Sequence, residues 1–160
     1  MDALASPRYA RVRAGGTIAE RISDSHPQVV VINLGPNDYA CLLKNAFMPD
    51  TPCRYPDFTL DDFLDDAHAM VASVAGACII GTTTWFGDVV GPLWSDMVAT
   101  GEIAGVVRWQ EYLSTLSADE RQLLLADSLG HLTLAGEAAL AEMTAQVVDQ
   151  SCASSPDLAP

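Results

Sequence analysis

The chain has 160 residues, a formal net charge of −13, 49% hydrophobic and 18% charged residues, which is the size and apolar content of one globular domain with a sizeable core. That apolar share excludes an intrinsically disordered chain. Eight Lys+Arg against 21 Asp+Glu exclude a nucleic-acid module and a basic membrane-surface helix, both of which need a concentrated basic face.

The first stretch, MDALASPRYARVRAGG, has no apolar core of the kind a signal peptide carries. As written, the chain reads as cytoplasmic; an exported protein is the alternative if a signal has been lost with the N-terminus. Gln28–Leu34 (QVVVINL) reads as the first buried strand. A helix follows from about Leu60, because Leu60, Phe63, Leu64, Ala67, Met70, Val71 and Val74 form one apolar stripe at helical spacing. Thr59 with Asp62 has capping-box spacing at its start. Ala77–Thr83 (ACIIGTT) and Ile103–Trp109 (IAGVVRW) are two more short β-branched runs without alternation, the pattern of a parallel sheet covered on both faces. Ser117 with Glu120 marks another helix start before Leu123–Leu125, and Thr133 precedes a last helix through about Asp149. The apolar runs Val29–Leu34 and Val74–Ile80 are far shorter than the roughly 20 residues that cross a bilayer, so no membrane span is expected.

Strands alternating with helices predict an α/β domain with a mostly parallel sheet over residues 1–150, followed by a disordered tail, Ser151–Pro160. In such sheets the chemistry sits at the carboxyl ends of the strands. Gly35-Pro36-Asn37-Asp38 directly follows the first strand: the glycine allows a sharp turn, Asp38 is placed to cap the next helix, and the Asn37 amide suits a developing oxyanion. An ordinary strand-to-helix turn is the competing reading. Asp127-Ser-Leu-Gly-His131-Leu-Thr133-Leu-Ala-Gly136 places an acid shortly before a histidine, on a loop running into a helix. There the acid can orient the imidazole as a general base, Thr133 can cap the helix and Gly136 can allow close packing. A plain polar loop histidine is the competing reading.

Asp61-Asp62-Phe63-Leu64-Asp65-Asp66 spells the D-D-x-x-D pattern that can hold magnesium, with His68 nearby. A solvated acidic face near a helix N-terminus explains it better, and no metal is expected. The cysteines Cys41, Cys53, Cys78 and Cys152 show no zinc-ligand spacing. Free thiols in a reducing cytosol are the favoured reading, with a Cys41–Cys53 pair open in an oxidising compartment.

The two loop motifs, in this order in an α/β chain, resemble the SGNH (GDSL) hydrolase family, serine ester hydrolases that include acyltransferases and carbohydrate deacetylases. VVVINLGPND is similar to its third sequence block, HLTLAGEAALAE to the stretch around its final histidine, and VRAGGTIAERI to its second block. The resemblance spans about residues 2–149. It implies a flavodoxin-like three-layer α/β/α fold, a small acyl-ester substrate and no cofactor. It also implies His131 as general base, Asp127 as its orienting acid, and an oxyanion hole from the Asn37 side chain and the Gly15 backbone N–H, with Gly16 the alternative.

Two departures stand out. The family places the acid three residues before the histidine, where this chain has Ser128; Asp127 is four before, and a bulge at Leu129-Gly130 can restore the geometry. No Gly-Asp-Ser nucleophile block occurs in the chain, and Ser6, Ser23 and Ser25 follow no apolar strand. The resemblance therefore implies a chain that begins after its own serine and lacks the first, central strand. Such a chain is expected to be of low stability or to borrow a strand from a partner. A non-catalytic binding or scaffold protein on the same fold is the rival reading. Specificity is expected on the loops Met48–Pro56 and Trp85–Trp94, where Tyr55, Trp85, Phe86 and Trp94 are candidates for an apolar or sugar-binding wall, with core or rim packing the competing reading.

Overall fold

The computed structural model describes residues 26–33, 59–74, 76–84, 87–127 and 130–153. Within them lie three strands, β1 (Val29–Ile32), β2 (Cys78–Thr82) and β3 (Gly105–Val107), and five helices, α1 (Leu60–Ser73), α2 (Gly87–Thr100), α3 (Trp109–Thr115), α4 (Ala118–Leu124) and α5 (Leu134–Cys152). The strands form a parallel sheet in the order β1-β2-β3, with Val29 opposite Cys78 and Ile80 opposite Gly105. This is the expected α/β domain with a parallel sheet.

Alternate residues of the strands point to opposite faces, and helices cover both. On one face Ile32 and Ile79 pack with Phe63, Ala67 and Val71 of α1 and with Val90, Leu93, Trp94 and Met97 of α2. On the other, Cys78, Ile80 and Val107 pack against Leu140, Met143, Val147 and Val148 of α5. Every residue of β2 is buried, as a central parallel strand requires. β1 is covered less completely, since Ile32 is buried but Val31 is 45% exposed.

The capping boxes stand where the spacing places them. Thr59 accepts from the Asp62 amide while Asp62 reaches back to the Thr59 N–H, and Ser117 and Glu120 do the same for α4. Both expected strand ends shift at β3, which stops at Val107 because Trp109 already starts α3 and is buried. Gly87–Thr100, of which the first half was expected as loop, is a helix. Its Trp94 takes the core-packing alternative: it is fully buried, with the ring against Gly81 and the indole N–H donating to the Thr82 carbonyl at 2.9 Å. The acidic run on α1 is not wholly solvated: Asp62 is engaged in the cap and Asp66 is only 7% exposed. Among the described residues no three His, Cys, Asp or Glu side chains are grouped to hold a metal ion. No described helix is long and apolar enough to cross a membrane.

The expectation of free thiols fails for two of the cysteines. Cys78, the first residue of β2, is disulfide-bonded to Cys152, the last residue of α5, 74 positions away. Ser151 and Cys152, expected in a disordered tail, belong to α5. In the chain-entropy account, closing a loop of that length stabilises the fold by about 4.5 kcal/mol. Cys41 and Cys53 lie outside the described residues.

The bridge also fixes the direction of α5. With its C-terminus at the amino end of β2, and with Val147 and Ser151 against Gly105 at the start of β3, the helix runs antiparallel to the strands. Nineteen residues make about 28 Å of helix, against about 17 Å for a five-residue strand. The N-terminus of α5 therefore lies beyond the carboxyl edge of the sheet.

A Cβ on Gly81 would stand 2.6 Å from Cδ2 of the buried Trp94. Gly81→Ala is expected to destabilise the fold by about 1–3 kcal/mol through overpacking, read as a lower denaturation midpoint in urea. An unchanged midpoint would mean that the Trp94 contact is looser than described.

Candidate active site at the carboxyl edge of the sheet

The loop between α4 and α5 is a short, tightly bonded clip. Leu125 and Leu132 form an antiparallel bridge, and the Ala126 N–H donates to the His131 carbonyl at 2.6 Å. Gly130 sits at φ +86°, a left-handed conformation open to glycine without steric cost, which lets the chain reverse before His131. One residue beyond the clip, Thr133 holds both helices. Its N–H donates to the Leu124 carbonyl at 2.9 Å, its hydroxyl donates to the Leu123 carbonyl at 2.6 Å, and its oxygen accepts from the Gly136 N–H at 3.1 Å as the N-cap of α5. Gly136 is buried directly against the Leu124 carbonyl, where a Cβ would collide with backbone.

Within this clip Asp127 and His131 come together. The Asp127 Oδ2 lies 2.5 Å from His131 Nδ1, and Oδ1 accepts from the His131 backbone N–H at 3.2 Å. The four-residue spacing thus gives an acid–histidine pair joined by two hydrogen bonds; of the expected Leu129-Gly130 bulge, Gly130 has a left-handed φ, while Leu129, like Ser128, lies outside the described residues. A neutral imidazole held this way carries its proton on Nδ1, which makes Nε2 the basic atom. The His131 side chain is 61% exposed, so the pair stands at the surface above the sheet edge. Asn37 and Gly15, the expected oxyanion donors, and the Met48–Pro56 loop lie outside the described residues, as do Trp85 and Phe86.

The same edge holds a polar network that belongs to neither loop motif. The Thr84 hydroxyl donates to the Thr82 hydroxyl at 3.1 Å, and Thr82 donates to Asn33 Oδ1 at 3.1 Å, linking the ends of β1 and β2. Thr83 donates to Glu111 Oε2 at 2.8 Å, Gln110 Nε2 donates to the Thr84 carbonyl at 2.7 Å, and Arg108 bridges Glu111 Oε1 and Ser95. Thr82, Thr83 and Thr84 are all buried, and every buried side-chain polar atom among the described residues has a partner. The network is therefore a satisfied scaffold that ties the strand ends together. Sequence offers only a positional signal for it, since Asn33, Thr83 and Arg108 are the first residues after their strands; the residue types themselves carry none.

Burial pushes the Glu111 carboxyl up, but hydrogen bonds from its own backbone, Thr83 and Arg108, with the Arg108 charge, outweigh it and hold the pKa below the ordinary value. A lowered folded pKa contributes stability above the unfolded value near 4.5, and that contribution is lost as pH falls through the folded value. The midpoint of Glu111→Gln is therefore expected to fall less than the parent's between about pH 5 and pH 3, measured by urea denaturation at each pH. Parallel profiles would contradict this role. Thr133→Ala is expected to cost about 1–2 kcal/mol as a lost N-cap and to broaden the His131 ring resonances, which a cap acting on α5 alone would leave sharp.

No family model matches this chain, and neither curated proteins nor solved structures provide a match.

Proposed function

We propose that this chain carries the acid–base half of an SGNH-type hydrolase of carboxylic esters, such as an esterase, lipase or deacetylase. The observation that supports it is the 2.5 Å contact of Asp127 with His131 Nδ1, in a clip whose helix places it beyond the carboxyl edge of a parallel sheet. In the complete reaction a serine oxygen attacks the acyl carbon while His131 Nε2 takes its proton. Asp127 steadies the imidazolium, and His131 returns the proton to the leaving alcohol. On this reading the Asn37 amide and the Gly15 N–H stabilise the oxyanion, the substrate is a small acyl ester, and neither metal nor other cofactor takes part. The net charge of −13 disfavours a nucleic acid as partner.

The chain contains no Gly-Asp-Ser motif, so covalent catalysis has no nucleophile here. What remains is His131 activating water, a slow reaction. The same absence favours a second reading, a non-catalytic binding or scaffold protein on this fold.

Hydrolysis of p-nitrophenyl acetate separates the two. The parent chain is expected to turn over slowly without stoichiometric labelling by a fluorophosphonate. His131→Ala should lower the rate at least tenfold and Asp127→Asn several-fold, since a positioned general base contributes about 10²–10⁴. Equal rates for parent and His131→Ala would overturn the catalytic reading and leave the binding protein. Stoichiometric labelling would reveal a nucleophile outside the Gly-Asp-Ser pattern.

A further inference from the structure

We infer that the Cys78–Cys152 disulfide is the latch that holds α5 on the sheet, and that the chain reaches its working fold in a thiol-oxidising compartment. The inference is independent of the ester-hydrolase reading. It starts from how little else among the described residues holds the helix. Of the nineteen residues of α5 only Gly136 and Cys152 are buried, one at each end. Between them Leu140, Met143, Val147 and Val148 are only partly buried against Ile80 and Val107.

The N-terminal end is fixed by hydrogen bonds, through Thr133 and Gly136 to the last carbonyls of α4. The C-terminal end is fixed by the covalent bond to β2, supported by the close seat of Ser151 and Val147 on Gly105. A helix with a weak apolar stripe, pinned at two points, is held by both pins. Breaking the covalent one frees the C-terminal turns first.

The bridge is also shielded. Cys78 is 8% and Cys152 2% exposed, and reduction needs a thiolate to reach one sulfur. Forming the bond removes two protons and two electrons from two thiols; a disulfide-donating oxidant takes them up and becomes a dithiol. Breaking it requires a dithiol reductant, which leaves as its own disulfide while Cys78 and Cys152 return to thiols. A bridge that is hidden once made works as a staple set during folding, and such staples belong to compartments that oxidise thiols.

Hydrogen exchange read by mass spectrometry tests the latch on the full chain. Peptide mapping of chain exported to a bacterial periplasm is expected to recover Cys78 linked to Cys152, with residues 134–152 protected. Chain made in the reducing cytosol should carry thiols at both positions and exchange at least tenfold faster across 134–152, with β2 changed less than twofold. Cys78→Ala/Cys152→Ala, which isolates this bridge from Cys41 and Cys53, should reproduce the cytosolic pattern. Unlinked cysteines in the exported chain would overturn the inference. So would α5 protection equal to the exported chain's in the double variant, or loss of protection at every amide together.

Discussion

Helix α5 crosses the sheet antiparallel to β2, tied to the first residue of that strand through Cys152 and to the last carbonyls of α4 through Thr133. The helix is longer than the strand it covers, so its leading end must stand clear of the carboxyl edge. The clip that carries Asp127 and His131 is attached to that end. Placement of the acid–histidine pair is thus a consequence of where one helix is pinned, and only secondarily of the loop's own sequence. The 42% exposed Asp127 and 61% exposed His131 side chains make a surface pair, which on its own would contribute little to stability. Its geometry is maintained by the backbone bonds of the clip beneath it.

At the carboxyl edge, the strand ends are held in register by side chains rather than by further ladder bonds. Three successive threonines leave β2, and each is used differently: Thr82 toward Asn33 after β1, Thr83 toward Glu111 on α3, Thr84 back onto Thr82. Gln110 closes the arrangement from α3. Each group has a partner, so the edge is rigid where a catalytic constellation would need a firm base. A different device works at the opposite end of the sheet. There His68 Nδ1 on α1 meets Glu102 Oε2 at 2.8 Å, and Thr100 donates to the other Glu102 oxygen at 2.7 Å. These bonds, the Thr100 one foremost, hold the Glu102 carboxyl below the ordinary range. The pair joins α1 to the turn that follows α2 and contributes nothing to the carboxyl edge.

Much of this architecture was legible because its local signals agree with its tertiary role. The apolar stripe of α1 and both capping boxes are written in single residues at fixed spacing, and β1 and β2 are uninterrupted β-branched runs. What escaped has physical reasons. α2 contains Gly87, Gly91 and Pro92, residues that read as loop; it is helical because Val90, Leu93, Trp94 and Met97 bury one side in the core. The strand expected over Ile103–Trp109 is present, but its ends escaped: β3 is only three residues long, because Trp109 already starts α3. The Cys78–Cys152 bridge joins residues 74 apart, and spacing along the chain carries no signal for that. Of the candidate site, the Asp127–His131 contact, the Thr133 cap and the need for small residues at Gly130 and Gly136 were all readable in one loop. The threonine and glutamine network was not, since its members are common polar residues given meaning only by the sheet.

The central claim is that Asp127 holds the His131 ring by its Nδ1–H in the folded chain. Imidazole-region proton and nitrogen NMR tests it most directly, because the chain has only three histidines, His26, His68 and His131, and single substitutions assign them. The account predicts a slowly exchanging, downfield Nδ1 proton on His131 near neutral pH, absent in Asp127→Asn. A His131 ring that shows rapid Nδ1 exchange in the folded parent chain, or the same spectrum after Asp127→Asn, would contradict it.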